Sequence, residues 1–311
     1  MNRSDESTEV LGFAIVGKTG TVKGLNVANS DMNRTVLLWW RDAHRELPWR
    51  ETRDPWHILV SEVMSQQTQV ERVVPKWRDF IERFPTPAAA AQASAGDLIK
   101  MWDGLGYNRR AVMLHHCARQ VVEQHDGELP DTLEELLDLP GIGPYTARAV
   151  LAFAFERDVA VLDTNVGRVL ARLAGRSWKP REAQARADEL VPAGGGWEWN
   201  QALLDLGAQV CQKRTPQCER CPVQRCCSWR GTGPDPSVGS AGVSTGQSRF
   251  DGSDRQGRGR LVAALRVGPV EVGQAPEVMG FGNDTERSSR VLASLLGDGM
   301  VVRSKGYLHL P

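Results

Sequence analysis

Four of the six cysteines in this 311-residue chain stand at regular spacing in one short segment. They are Cys211, Cys218, Cys221 and Cys227, spaced C-x6-C-x2-C-x5-C. Thiolates this close together bind either zinc or an iron–sulfur cluster. Structural zinc usually shows two Cys-x2–4-Cys knuckles split by a longer loop, whereas this segment carries one. Cys226 sits beside Cys227, so spacing alone leaves the fourth ligand open. Clustering, rather than pairing across the chain, points to a metal site in a reducing compartment and away from a disulfide framework. Cys117 falls on an expected helix and reads as a core residue.

A second constellation runs from Leu139 to Arg168, LPGIGPYTARAVLAFAFERDVAVLDTNVGR. Leu133, Leu136 and Leu137 give the preceding segment a helical apolar face. Pro140-Gly141-Ile142-Gly143 forces a turn, since glycine takes positive φ without steric cost. Pro144 suits a first helical position, and Tyr145–Phe155 is good helix material. This is a helix-hairpin-helix, and its glycine turn leaves N–H groups of Gly141 and Gly143 free for a phosphate. A bare GxG would also serve as an ordinary interhelical turn, and Asp163 alone would read as the N-cap of the next helix.

The elements that must position these groups are helical. An apolar, tryptophan-bearing helix begins at Thr35, following a Ser-, Thr-, Asn- and Gly-rich tail over residues 1–33 in which Met32 marks an alternative start. Helical spacing of Ile58, Val63, Val70 and Val74 covers Trp56–Trp77. Further helices are expected at Pro87–Ala93, Ala95–Trp102 with Ser94 as N-cap, Arg110–His125, Leu133–Asp138, Glu182–Leu190 and Gln201–Cys211. The body therefore spans 34–231, with the cysteine loop at 211–227. A Gly/Ser/Pro-rich linker follows at 232–247, then a small domain at 248–311. There, helices at Gly259–Arg266 and Glu286–Leu296 precede strands at Met300–Val302 and Tyr307–Leu310, an order resembling a winged helix.

Apolar and charged fractions, 41% and 24%, are those of a globular chain. Lys plus Arg and Asp plus Glu both number 38, so a nucleic-acid partner would need a local basic surface rather than bulk charge. No apolar run reaches membrane-spanning length. No dinucleotide fingerprint or Walker loop is present.

The order of hairpin, VLDTNV aspartate and cysteine loop resembles the helix-hairpin-helix DNA glycosylases. LPWR at Leu47, ILVSEVMSQQTQV at Ile58, MWDGLGY at Met101, LPGIGPYTA at Leu139, VLDTNVGRVLAR at Val161 and NQALLDLGAQVC at Asn200 narrow the resemblance to the MutY-type adenine DNA glycosylases over about residues 35–230. The terminal domain is similar to that of actinobacterial members rather than to a Nudix-like domain. The resemblance implies an all-α fold of two helical subdomains with a [4Fe–4S] loop, and its spacing selects Cys211, Cys218, Cys221 and Cys227. It implies a monomer in the cytoplasm, associated with the nucleoid, acting on mismatched double-stranded DNA with no membrane partner. Adenine opposite 8-oxoguanine or guanine would be excised to leave an abasic site.

Cleaving an N-glycosidic bond needs a protonated leaving base and a stabilised oxocarbenium-like sugar. Glu62 matches the family's proton donor, with an expected raised pKa, and Asp163 its cation-facing carboxylate. Asn165 matches the asparagine holding the catalytic water or carboxylate. Tyr145 stands where bifunctional members carry a lysine, and a phenol cannot form a Schiff base, so a monofunctional enzyme is expected. Family matches for the flipped adenine's pocket are Arg45, Leu47, Trp49, Arg50, Val70 and Gln201, the last able to donate and accept on a base edge. Gln66, Gln67 and Thr68 resemble a strand-separating wedge, and Gly141 and Gly143 the phosphate grip. Ser65 and Asn108 depart from the family, replacing an intercalating leucine and a wedging tyrosine. Opposite-base reading would then fall to Gln67, Arg109 or the terminal domain. A thymine/uracil mismatch glycosylase and a non-catalytic damage binder are the alternative readings.

Overall fold

The computed structural model describes residues 22–243 and 249–311. Most of the expected tail, residues 1–21, lies outside them, as do residues 244–247 of the expected linker. Helix α1 spans Val22–Ala43, so it begins upstream of Thr35 and runs through Met32. Its anchored face starts before the apolar run: Asn33 Nδ2 donates to Leu190 O at 3.0 Å, and Val36 and Trp40 are buried one and two turns on.

The body continues with α2 (Pro55–Ser65), α3 (Val70–Arg83), α4 (Pro87–Gln92), α5 (Ala95–Met101), α6 (Arg109–Gln124), α7 (Leu133–Asp138), α8 (Pro144–Phe153), α9 (Thr164–Ala174), α10 (Pro180–Glu189) and α11 (Gly196–Asp205). Most starts have a visible cause. Asp54 accepts from the Trp56 and His57 amides at the head of α2, and Ser94 and Asp97 close a reciprocal capping box on α5. The stretch Trp56–Trp77, expected as one helical run, is two helices. The chain breaks at 66–69, where Gln67 takes φ +55°. The run expected to Cys211 leaves α-geometry at Asp205 and continues as a π turn over Leu206–Val210.

Two apolar cores define two helical subdomains. One gathers α2–α8 around Trp56, Phe80, Trp102 and Leu114. The other joins α1 to α9–α11 around Val36, Trp40, Val166, Leu170 and Trp199. Chain ends therefore meet the middle of the sequence, and helices α2 and α8 face each other across the first core.

The terminal unit comprises α12 (Asp254–Val267), β1 (Val270–Glu271), α13 (Ala275–Met279), α14 (Thr285–Gly297), β2 (Val302–Ser304) and β3 (Tyr307–His309). Its antiparallel sheet has the order β1-β3-β2, with Tyr307 opposite both Glu271 and Ser304. Sequence reading missed β1 and α13, each too short to show a period. It also started β2 too early, because Met300 and Val301 are core residues. The unit is docked, not tethered: Arg266 donates to Ile99 O (3.1 Å), Asp103 (2.7 Å) and Asn108 Oδ1 (3.0 Å). Its buried Leu261, Val262 and Leu265 join the same core as Leu114. The described part of the expected linker touches the body at intervals, with Ser237 and Ser240 buried and Val238 exposed between them.

Candidate active site and cysteine loop

Helix α2 buries nearly its whole circumference, so Glu62 faces the interior with Ile58, Leu59 and Val63 as its neighbours in sequence. Glu62 is 8% exposed. Its Oε2 accepts the phenol proton of Tyr145 at 2.8 Å. Burial pushes the Glu62 carboxyl from 4.5 up to about 7; the Tyr145 hydrogen bond opposes this, nearby Asp163 adds to it, and Arg50 opposes it. The same burial, with two carboxylates nearby, holds the Tyr145 phenol well above its ordinary value.

Asp163 caps α9, as a solitary Asp in that position would. Its Oδ1 accepts from Val166 N–H at 2.7 Å, and its Oδ2 from Asn165 Nδ2 at 2.8 Å. Burial nevertheless raises its pKa, with those hydrogen bonds pulling the other way. The cap bonds and the burial thus pull the same carboxylate in opposite directions. Asn165 passes the contact on: its Oδ1 accepts from Arg168 at 2.9 Å. Arg168 also donates to Gly207 O (2.6 Å) and Cys211 O (2.7 Å). The π turn makes this possible, for a Cβ on Gly207 would stand 2.6 Å from the Asn165 Cβ. Hence the acid and the first cysteine are joined by one continuous set of side chains.

Of the residues expected around the base, Leu47 and Trp49 are buried in the first core, where Trp49 packs edge-on to Trp77. Arg45 and Arg50 are committed elsewhere. Both pair with Asp205, fully buried, at 2.5 and 2.8 Å, and Trp40 Nε1 donates to the same carboxylate at 2.9 Å. Asp205 was not anticipated; a lone acid in NQALLDLG gives no sign that two arginines 155 and 160 residues away converge on it. Val70 is half-buried at the start of α3. Gln201, 5% exposed, is buried on α11.

In the hairpin, Gly141 has φ +78°, and a Cβ there would stand 2.7 Å from the Met113 Cβ. Glycine is required on both counts. Gly143 differs from expectation: its φ of −99° suits any residue, and nothing lies within 4 Å of an added Cβ. Openness, not conformation, distinguishes that position. The turn is closed by Ile142 N–H to Leu139 O (3.2 Å) and Ala147 N–H to Gly143 O (3.0 Å), which leaves the Gly141 and Gly143 amides unused.

Gln66 donates to Thr146 Oγ1 at 3.2 Å, and Thr68 donates to Leu105 O at 3.2 Å, while Gln67 between them in sequence is exposed. Arg110, also unanticipated, fixes this arrangement. It donates to the carbonyls of Val63 (2.6 Å), Met64 (3.0 Å), Gln66 (2.7 Å), Leu105 (3.1 Å) and Gly106 (3.0 Å). Burial without a carboxylate partner pushes its pKa down to about 10. Gln66, Gln67, Tyr107 and Gly141 line a cleft of about 1000 Å³ whose far wall is Phe250, Arg255 and Arg258 of the terminal unit. Glu62 and Asp163 are not in its lining. Asn108 is held by Arg266, and Arg109 pairs with Asp298 at 3.3 Å.

Cys211, Cys218, Cys221 and Cys227 line one small pocket together with Arg172 and Trp229. Cys226 is outside that lining and exposed. Among the described residues, no three His, Cys, Asp or Glu side chains converge as a single-ion site does. The four unpaired thiols round this pocket are a donor set that suits either an iron–sulfur cluster or zinc. Arg172 donates to Cys211 Sγ at 3.3 Å, the kind of bond a cluster-bound thiolate accepts.

Residues 60–193 match the HhH-GPD superfamily base excision DNA repair protein. The adenine DNA glycosylase of Mycobacterium tuberculosis is 44% identical over 290 residues, covering 91% of this chain and 93% of the relative. That of Mycolicibacterium smegmatis is 41% identical over 271 residues, covering 86% and 91%. Among solved structures, a thermostable thymine-DNA glycosylase superposes with a TM-score of 0.64 at 31% identity, over 67% of this chain and 99% of its own. With paired acids behind a helix-hairpin-helix and a four-cysteine loop, and with relatives matched nearly end to end, the chain belongs to the adenine DNA glycosylases, the MutY-type branch of the HhH-GPD superfamily of base excision DNA repair proteins.

Proposed function

We propose that the protein is a monofunctional glycosylase that hydrolyses the N-glycosidic bond of adenine mispaired with 8-oxoguanine or guanine, leaving an abasic site. The observation that carries this is the desolvated Glu62 carboxyl, held by the Tyr145 phenol near the second acid, Asp163. A carboxyl with its pKa near 7 is half protonated at neutral pH and can donate to a departing purine. As the bond to the sugar breaks, positive charge develops at the anomeric carbon. Asp163, held by Val166 and Asn165, faces that charge, and the deprotonated Glu62 then takes a proton from the incoming water. Tyr145 positions Glu62 and offers no amine for strand cleavage.

The Gln201 amide supports an adenine-reading role, since it can both donate to and accept from a base edge. Leu47, Trp49 and Val70 form apolar walls. Arg45 and Arg50, anchored on Asp205, shape the pocket from behind. Gly141 and Gly143 offer amides to a phosphate, and Gln66, Gln67 and Thr68 stand at the duplex-facing cleft. A [4Fe–4S] cluster on Cys211, Cys218, Cys221 and Cys227 would cross-link the loop to α9 through Arg168 and Arg172. No helix among the described residues is long and apolar enough to cross a membrane. The reading is completed by a monomer working on nucleoid DNA in the cytoplasm.

Likeness to a thymine-DNA glycosylase gives a second reading, removal of thymine or uracil from mismatches. Duplexes carrying A·8-oxoG, A·G, T·G and U·G, incubated with enzyme and then alkali, separate the two. Cleavage at A·8-oxoG and A·G is expected. Cleavage confined to T·G or U·G would overturn the adenine assignment, and nicking before alkali would overturn monofunctionality.

A further inference from the structure

The chain leaving the cysteine loop does not depart from the body. Asp235 accepts from Arg172 Nε at 3.1 Å and from its terminal nitrogen at 2.7 Å, at the last turn of α9. That pair holds the Asp235 carboxyl down at about 2: burial opposes the shift, and the Arg172 hydrogen bonds and Ser237 outweigh it. Buried Ser240 accepts from Trp178 N–H at 3.0 Å, and Ala241 N–H donates to Trp178 O at 2.9 Å. The backbone then lies directly on the first turns of α9. A Cβ on Gly167 would stand 2.8 Å from Ala241 O and 3.5 Å from the Gly242 Cα. A Cβ on Gly242, itself at φ +78°, would stand 3.3 Å from Asp163 O. That same Asp163 carbonyl accepts from Gly167 N–H at 2.8 Å, the first bond of the helix.

Residues 235–242 thus run back along α9, from the arginine beside the cysteines to the aspartate at the cap, with glycine on both surfaces where they meet. First turns of helices carry unsatisfied groups and open most easily. A carboxylate held by cap bonds is placed only as firmly as the turn that makes them. We propose that the strap Asp235–Gly242 is a positioning element for Asp163, clamped at Arg172 and pressed through Gly242 onto Gly167 and the Asp163 carbonyl, and that it sets the geometry of the chemical step without touching DNA. Displacing a catalytic group by about 1 Å costs on the order of 100-fold in rate, so a small loosening should be visible. This role presupposes the assignment of Asp163 as the catalytic carboxylate.

The test uses the full chain with its loop cysteines loaded. Gly242→Val lifts the strap at the cap end, and Asp235→Ala frees it at the arginine end, with Asp235→Glu as the conservative partner. Single-turnover excision at A·G, the dissociation constant for the same duplex, iron content and Tm are measured together. The strap role predicts excision at least tenfold slower in Gly242→Val and Asp235→Ala. Duplex affinity should stay within twofold and iron should be retained, with recovery of rate in Asp235→Glu. Excision within twofold of the parent in both variants would overturn it, as would losses of rate, affinity and Tm in parallel. Asp163→Asn, run alongside, keeps the outcomes apart. If it remains active, the catalytic assignment itself fails. If it is inactive while the strap variants excise normally, the strap alone is excluded.

Discussion

Tyr145 and Glu62, 83 residues apart in sequence, share a 2.8 Å hydrogen bond between phenol and carboxylate inside the body of the enzyme. The bond stabilises the ionised form of Glu62 and so works against the burial that raises its pKa. Excision should therefore fall as pH rises through about 7, because only the protonated carboxyl can donate. Removing the phenol in Tyr145→Phe takes away a pKa-lowering contact, so that limb should move to higher pH. A pH–rate profile of both proteins under single turnover checks the sign. Glu62→Gln should lose on the order of 10²–10⁴-fold in rate with duplex binding kept.

Asp163→Asn separates the α9 cap from the proposed catalytic duty of this residue. Asparagine caps a helix about as well as aspartate, so Tm should change little. Excision should drop by about 10²–10³ or more, the scale of losing a group aimed at developing charge. An equal loss of stability and rate would show that the cap is its only duty.

Gly141→Ala and Gly143→Ala should differ in kind. The first forces a Cβ at φ +78° to within 2.7 Å of the Met113 Cβ and should destabilise by about 1–3 kcal/mol. The second suits its backbone and should leave Tm unchanged. A methyl beside the free amides would still hinder a phosphate, so duplex affinity should weaken, and so should its salt dependence. Denaturation midpoints and salt-titrated binding measure each.

Arg110→Lys keeps the charge but cannot reach five carbonyls at once. The acceptors left unpaired should cost about 2–3 kcal/mol in stability. They should also loosen the Gln66–Thr68 edge, which a chemical-denaturation curve and duplex binding would detect together.

Cys226→Ser should leave the iron content and brown colour of the protein intact, whereas Cys227→Ser should lose both, since only Cys227 lines the shared pocket. Iron and sulfide analysis distinguishes the two, and zinc without iron in the parent protein would overturn the cluster.

The sequence by itself determined what depends on neighbours along the chain. Leu133–Asp138 became α7 with the expected bounds, and Ser94 capped α5, because periodicity and capping act within a few residues. The motif set around Glu62, the hairpin and Asp163 specified the family, and the cysteine spacing marked the loop. What only the tertiary structure decided is where distant groups meet. Asp205 became the anchor of Arg45 and Arg50, Arg110 the tie between two loops, and residues 235–242 came to lie against α9. Gly143 proved to have neither a left-handed backbone nor a close neighbour, which no composition rule distinguishes. Burial gave Glu62 its pKa, and burial is a property of everything packed around it. Local order could be read because it is written locally; the site's electrostatics could not, because they arise only where desolvated charges from separate helices come within reach of one another.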